Sequence, residues 1–278
     1  MKKVIISLLF LAVSVISLGS NQWIGINKNT PSPARTELVS SQSDRSIVHF
    51  SIDGFMMKEV QTPRGLSNII MVDEATPAEE KGNPDLPKLV TALAIPDLAE
   101  MEYTILSADY TDYPNVLVAP SKGVISRTED PATVPFTYGR SYSMNAFWPD
   151  KTAGISDPYI IRDVRGQNII VYPFHYNPVT KTLRVYHDIT VELKKKSDAG
   201  KNPLTRKAPA SNEFQALQQH HFLNKGILSY NPLNDYGKIL VICHDAFISS
   251  MEPYVDWKNS CGFPTKIVGT SVTGTTAS

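Results

Sequence analysis

Residues 168–193 read NIIVYPFHYNPVTKTLRVYHDITVEL, and the fold class turns on them. Ile169 to Tyr176 and Thr182 to Leu193 are strand-like, and Asn177-Pro178-Val179-Thr180-Lys181 between them has turn chemistry. In the second run Leu183, Val185, His187, Ile189, Val191 and Leu193 alternate with Arg184, Tyr186, Asp188, Thr190 and Glu192. Side chains on a strand point to opposite faces in turn, so this alternation predicts one buried face and one wetter face. The stretch is an antiparallel hairpin.

The same pattern continues upstream. SIVHFSIDGFMMKEV alternates from Ile47, breaks at Pro63–Gly65 and resumes as LSNIIMV. A Pro-punctuated loop, KGNPDLPKLVTALAIP, leads into another strand, and MEYTILSADYTDYPNVLVAP supplies one or two more. Short strands at this spacing, without a long helical segment, predict a mainly β fold with an antiparallel β-sandwich over 46–196. The 20 prolines against 15 glycines agree with a turn-rich β chain.

Both flanks differ from this body. Residues 1–19 carry Lys2 and Lys3, an apolar run from Val4, and small residues Ser17 and Gly19, the pattern of a secretory signal peptide. The run is short for a membrane span, so no stable membrane span is expected. Residues 20–45 are polar and aperiodic and read as a flexible leader. Residues 197–235 are basic, polar and Pro-broken and read as a linker and processing region, with a short helix around SNEFQALQQHHFLN. Residues 236–278 read as strand, helix, strand: one βαβ unit, with Met251, Tyr254, Val255 and Lys258 on one helix face and Gly262 ending it. One such unit cannot bury both faces of a sheet, so it reads as the start of an α/β domain cut short.

Composition narrows the function. The chain has 278 residues, 27 basic and 27 acidic, and a formal net charge of zero. Nothing here supports nucleic acid as a partner. Two cysteines do not make a disulfide framework. Cys243, His244 and Asp245 are the residue types of a thiol hydrolase, but neighbours on a strand point apart, so a catalytic triad is not expected. His220 and His221 are adjacent, a poor geometry for sharing a metal, and the aspartates lack calcium-loop spacing. No catalytic or metal-binding residues are assigned. Phe147 and Trp148 either anchor a partner or cap the core, and Tyr172 and Tyr176 are expected to pack.

Several long segments carry a resemblance. KGNPDLP (81–87), AEMEYTILSADYTDYPNVLVAPSKG (99–123), residues 157–193, and KILVIC (238–243) with VDWKNSCG (255–262) are together similar to the gingipain-type cysteine proteases, peptidase family C25. The first three resemble the N-terminal prodomain, and the last resembles the opening strand and helix of a caspase-like α/β catalytic domain. The resemblance implies a secreted zymogen whose prodomain keeps the protease latent and helps it fold. The implied partner is the cognate C25 catalytic domain, in the same chain or in trans. It also implies a Cys–His dyad beyond the first βα unit, which this chain does not contain, so the chain is expected to be inactive. No cofactor is expected in this chain; the resemblance implies that calcium, where it is bound, is held by the full catalytic domain.

Within SKGVISRTEDP (121–131) the resemblance implies an inhibitory loop, with Arg127 entering the protease's specificity pocket between Ser126 and Thr128. A guanidinium in an acidic pocket forms bidentate, charge-assisted bonds. Arg64, Arg206, Lys207 and Lys225 are the candidate processing sites, in exposed loops. The junction departs from the family pattern: Ser229, not a basic residue, precedes Tyr230-Asn231-Pro232. The competing reading is a β-sandwich adhesion or binding module with no protease partner.

Overall fold

The computed structural model describes residues 21–206, 212–224 and 238–275. The hairpin is present, built differently from its sequence pattern. β11 (Val164–Val171) and β12 (Phe174–Asn177) replace one run, and β13 (Thr182–Ser197) is the other. Pro173 interrupts the first run. Proline has no N–H to continue a ladder, and the chain changes sheets there. β12 pairs with β13, whereas β11 pairs with β7 (Pro87–Ala94). The turn is held by the Asn177 side-chain oxygen, which accepts from the Val179 and Thr180 amides at 3.1 and 3.2 Å. Lys181 takes positive φ to close it.

The predicted alternation of β13 holds. Leu183, Val185, Ile189, Val191 and Leu193 are all buried. His187 is half-buried because the ladder with β8 (Glu100–Tyr113) is irregular between Tyr186 and Asp188.

Three antiparallel sheets surround one core. In the first, β13 lies between β8 on one side and β12 and β3 (Arg45–Ser51) on the other, with β2 (Arg35–Ser41) beyond β3. In the second, β11 lies between β7 and the short strands β9 (Ala153–Ile155) and β10 (Tyr159–Ile161), with β6 (Thr76–Pro77) beyond β7. The third is β1 (Asn21–Gly25), β4 (Gly54–Thr62) and β5 (Gly65–Met71). Phe55 of β4 packs edge-on against Tyr113 and Phe174 at 5.4 and 5.5 Å, joining the first and third sheets. Val48, Phe50, Ile169, Val171, Phe174, Leu183 and Val185 complete the centre.

The β body is larger than 46–196. The stretch 20–45, read as a flexible leader, contains β1 and β2, paired with β4 and β3. Its polar composition hid the strands, which are held by their ladders, by Ile24, Ile26, Ala34 and Leu38 against the core, and by one buried carboxylate. Asp53 pairs with Lys28 at 2.7 Å and with Arg35, and its carbonyl oxygen accepts from the Ile26, Asn27 and Lys28 amides. Beyond β13, residues 198–206 are strapped down by Arg165, which is fully buried. Its guanidinium donates to the carbonyls of Pro96, Ala99, Lys201 and Asn202.

Helix α1 (Asn212–His221), where the sequence predicts one, leads into a docked segment. Phe222 is buried and bridges Ala92, and Asn224 pairs with both backbone groups of Ala94 at 2.8 and 2.9 Å. The region read as a linker is therefore partly packed structure. Lys207, Lys225 and the 1–19 segment lie outside the described residues.

The C-terminal unit matches its expectation. β14 (Ile239–Cys243), α2 (Ile248–Ser260) and β15 (Thr265–Gly269) form a βαβ unit with parallel strands, followed by α3 (Thr270–Thr273). Gly262 has φ +84° just after α2. Leu240, Ile242, Phe247, Trp257 and Phe263 are exposed, and Val255 is buried. Among the described residues no helix is long and apolar enough to cross a membrane.

Candidate functional site

The segment 122–138 leaves the body after Ser121 and returns at Gly139, and both ends close on Gly82. The Gly82 amide donates to the Ser121 carbonyl at 2.9 Å, and the Gly139 amide donates to the Gly82 carbonyl at 2.8 Å. Ser121 also donates to the Asn83 carbonyl at 2.7 Å. This approach requires glycine: Gly82 has φ +84°, and a Cβ there would lie 3.2 Å from the Gly139 backbone.

Within the loop, Ser126 to Glu129 form a turn, the Glu129 amide donating to the Ser126 carbonyl at 3.0 Å. The Ser126 and Thr128 hydroxyls are 2.9 Å apart and flank Arg127. All three residues are exposed. Among the described residues, Arg127 makes no hydrogen bond or ion pair, so its guanidinium is available to a partner. A second turn follows, with the Asp130 side chain accepting from the Ala132 amide at 2.9 Å. Lys122 reaches across the loop to the Pro131 carbonyl at 2.7 Å and lies over the Phe136 ring. A cleft of about 430 Å³ under the loop is lined in part by Lys58, Asp85, Lys122, Ile125 and Phe136. Burial pushes the Asp85 carboxyl up, and Glu79 adds to the shift.

Where the loop rejoins the body it meets the β4–β5 hairpin. The Arg64 guanidinium lies 4.0 Å over the Tyr138 ring and 5.9 Å from the Tyr142 ring. Tyr138 and Tyr142 pack edge to face at 4.6 Å. The Thr62 and Tyr138 hydroxyls are 2.8 Å apart, and the Tyr142 hydroxyl donates to the Val118 carbonyl at 2.9 Å. Burial raises the Tyr142 phenol well above the usual range, with smaller contributions from Tyr138, Tyr176 and Asp85.

The remaining candidates are scattered. Arg64 is exposed but sits in a tight hairpin end whose flanking residues, Thr62 and Gly65, are a registered pair. Arg206 is exposed at the edge of the described segment. Cys243 and His244 are not joined: the His244 Nδ1 accepts from the Ala246 amide at 3.2 Å. Asp245 accepts from the Ser271 amide at 2.9 Å. His221 donates to the Tyr159 hydroxyl at 2.6 Å, and that hydroxyl donates to Asn168 at 2.9 Å. Phe147 lies under the Arg184 guanidinium at 4.5 Å, and Trp148 packs partly against the core. Tyr176 is buried, as expected.

The sequence reading missed Gly82, Thr62, Tyr138 and Tyr142, which set the loop's base. Nothing local in KGNPDLP says that its glycine receives both ends of a distant loop. Only the Gly-centred backbone approach marks it.

The geometry is that of an antiparallel β module carrying a loop with both ends tied to the body and an exposed arginine on a turn within it. A family model described as Propeptide_C25 matches residues 27–223, and the chain belongs to that family, the propeptides of peptidase family C25. Gingipain R1 of Porphyromonas gingivalis is 40% identical over 232 residues, covering 83% of this chain and 23% of that protein. Gingipain R2 of the same organism is 36% identical over 236 residues, covering 84% and 32%. The chain thus spans a quarter to a third of these relatives. The solved complex of the P. gingivalis RgpB pro- and mature domains superposes with a TM-score of 0.64 at 38% identity, covering 68% of this chain and 97% of that one. A structure addressing the zymogenic latency of gingipain K from P. gingivalis shares the fold, with a TM-score of 0.55 at 22% identity, covering 64% and 100%.

Proposed function

We propose that this chain acts as the latency-conferring prodomain of a gingipain-type cysteine endopeptidase, docking on its cognate C25 catalytic domain with Arg127 in the specificity pocket. The observation that carries the reading is the exposed, unpaired Arg127 on the Ser126–Glu129 turn of a loop closed at both ends. A pocket carboxylate would take the guanidinium in bidentate, charge-assisted bonds. Family membership supports the reading, as does a solved complex of a related prodomain with its mature domain. The same reading makes the chain a secreted precursor, exported through the 1–19 signal peptide. Cleavage falls in the basic stretches around Arg206 and Lys207 or at Lys225.

The test is inhibition of an Arg-specific C25 protease by the full chain in trans. Wild type inhibits, and Arg127→Ala weakens inhibition by about 30-fold, the loss expected for an anchor worth about 2 kcal/mol. Arg127→Lys falls between, because an ammonium cannot bond bidentately. Equal inhibition by Arg127→Ala defeats the loop mechanism. No inhibition of any C25 enzyme by wild type favours a binding module instead.

A further inference from the structure

We infer that Arg64 is a positioning residue for the 122–138 loop: together with Tyr138, Tyr142 and Thr62 it forms a clamp that holds the loop's returning end and so fixes where Arg127 is presented. The inference rests on the reading of the loop as the inhibitory element.

The clamp joins parts of the chain that are far apart in sequence. Arg64 is carried at the end of the β4–β5 hairpin, whose ladder runs from Met56↔Met71 to Thr62↔Gly65, so its origin is rigid. Its guanidinium stacks on Tyr138, the Thr62 hydroxyl engages the Tyr138 hydroxyl, and Tyr142 backs the same ring. Tyr142 is in turn tied to the Val118 carbonyl. A guanidinium over an aromatic face is attracted by the ring quadrupole, and the planar group also stacks, which an ammonium cannot do.

Among the described residues, the hydrogen bonds made by residues 124–137 stay within the loop. The loop's hydrogen-bonded attachment to the body is therefore confined to its two ends, with Ile125 and Phe136 facing the body across the cleft. One end is Ser121 on Gly82 and Asn83. The other is Gly139 on Gly82, reinforced by the Tyr138 clamp. A preordered loop loses less freedom on binding and is a poorer substrate, because a protease must draw the chain into an extended form.

The same contacts argue against cleavage after Arg64. Its side chain is already engaged by two rings, and the paired hairpin end cannot extend into a cleft without breaking the ladder.

Trypsin, which owes nothing to the C25 interface, reports on the loop. Cleavage of the Arg127–Thr128 bond in the full chain is followed by mass spectrometry, alongside inhibition of an Arg-specific C25 protease and thermal melting. Arg64→Ala and Tyr138→Leu are expected to raise the cleavage rate at Arg127 and to weaken inhibition, each by about two- to fivefold, with little change in melting temperature. Arg64→Lys is expected to restore only part of both. If both variants match wild type in cleavage and inhibition, the clamp does no positioning and the inference is wrong. If wild type inhibits no C25 enzyme while loss of Arg64 still exposes the bond, the clamp stands and the latency reading falls. If Arg64→Ala melts early, Tyr138→Leu decides, since it leaves the hairpin sequence intact.

Discussion

Gly82 shows how a single residue can control a loop it does not belong to. Its amide donates to Ser121 and its carbonyl accepts from Gly139, and its φ of +84° favours glycine. Gly65 offers an internal comparison. It also has positive φ, +102°, but a Cβ there would meet nothing within 4 Å. Gly65→Ala should therefore cost only its backbone strain, of order 1 kcal/mol. Gly82→Ala should cost more, because the Gly139 backbone must also yield. Urea denaturation of the two variants measures the difference. Equal losses would mean that the Gly82–Gly139 approach is slack.

At the scale of elements, Asp53 ties down the turn after β1 and the start of β2 through Lys28 and Arg35. The carboxyl is held down to about 2, first by its hydrogen bond from Arg35 and then by that from Lys28. In the unfolded chain an aspartate titrates near 4. The folded value is the lower of the two, so the stabilisation is fully present above pH 4 and is lost as pH falls towards 2. Its size is on the order of 1–2 kcal/mol, reduced because Lys28 and Arg35 are nearly half exposed. Asp53→Asn should flatten this acid limb of the stability curve and increase hydrogen exchange in β1. An unchanged limb would remove Asp53 from the account.

For the whole molecule, the comparable device is Arg165, a fully buried cation satisfied by four carbonyls, two of them from residues 201 and 202. Burial lowers its pKa, partly countered by Asp97. Arg165→Leu removes the donors and orphans the carbonyls, at an expected cost of about 3–5 kcal/mol. The strap over 198–206 should loosen with it, so cleavage at Arg206 should quicken even at temperatures where the core still melts cooperatively. Unchanged proteolysis at Arg206 would show that the strap is held by something else.

What could be read from residues alone follows from local periodicity. The alternation of Leu183 to Leu193, the Asn177 turn and the βαβ order of 239–269 each depend on side chains within a few positions of one another. Arg127 was reached through a family resemblance, and the structure adds that it is exposed and unpaired. Other features needed the tertiary structure because their partners are distant along the chain. Pro173 splits an apparently continuous strand between two sheets. Asp53 recruits a polar N-terminal stretch that has no hydrophobic pattern to announce it. Arg64 looks like an exposed loop arginine until Tyr138, far along the chain, comes to lie beneath it. Periodicity records which face of an element is dry; which distant backbone or ring a polar group will meet is decided only when the sheets close on one another.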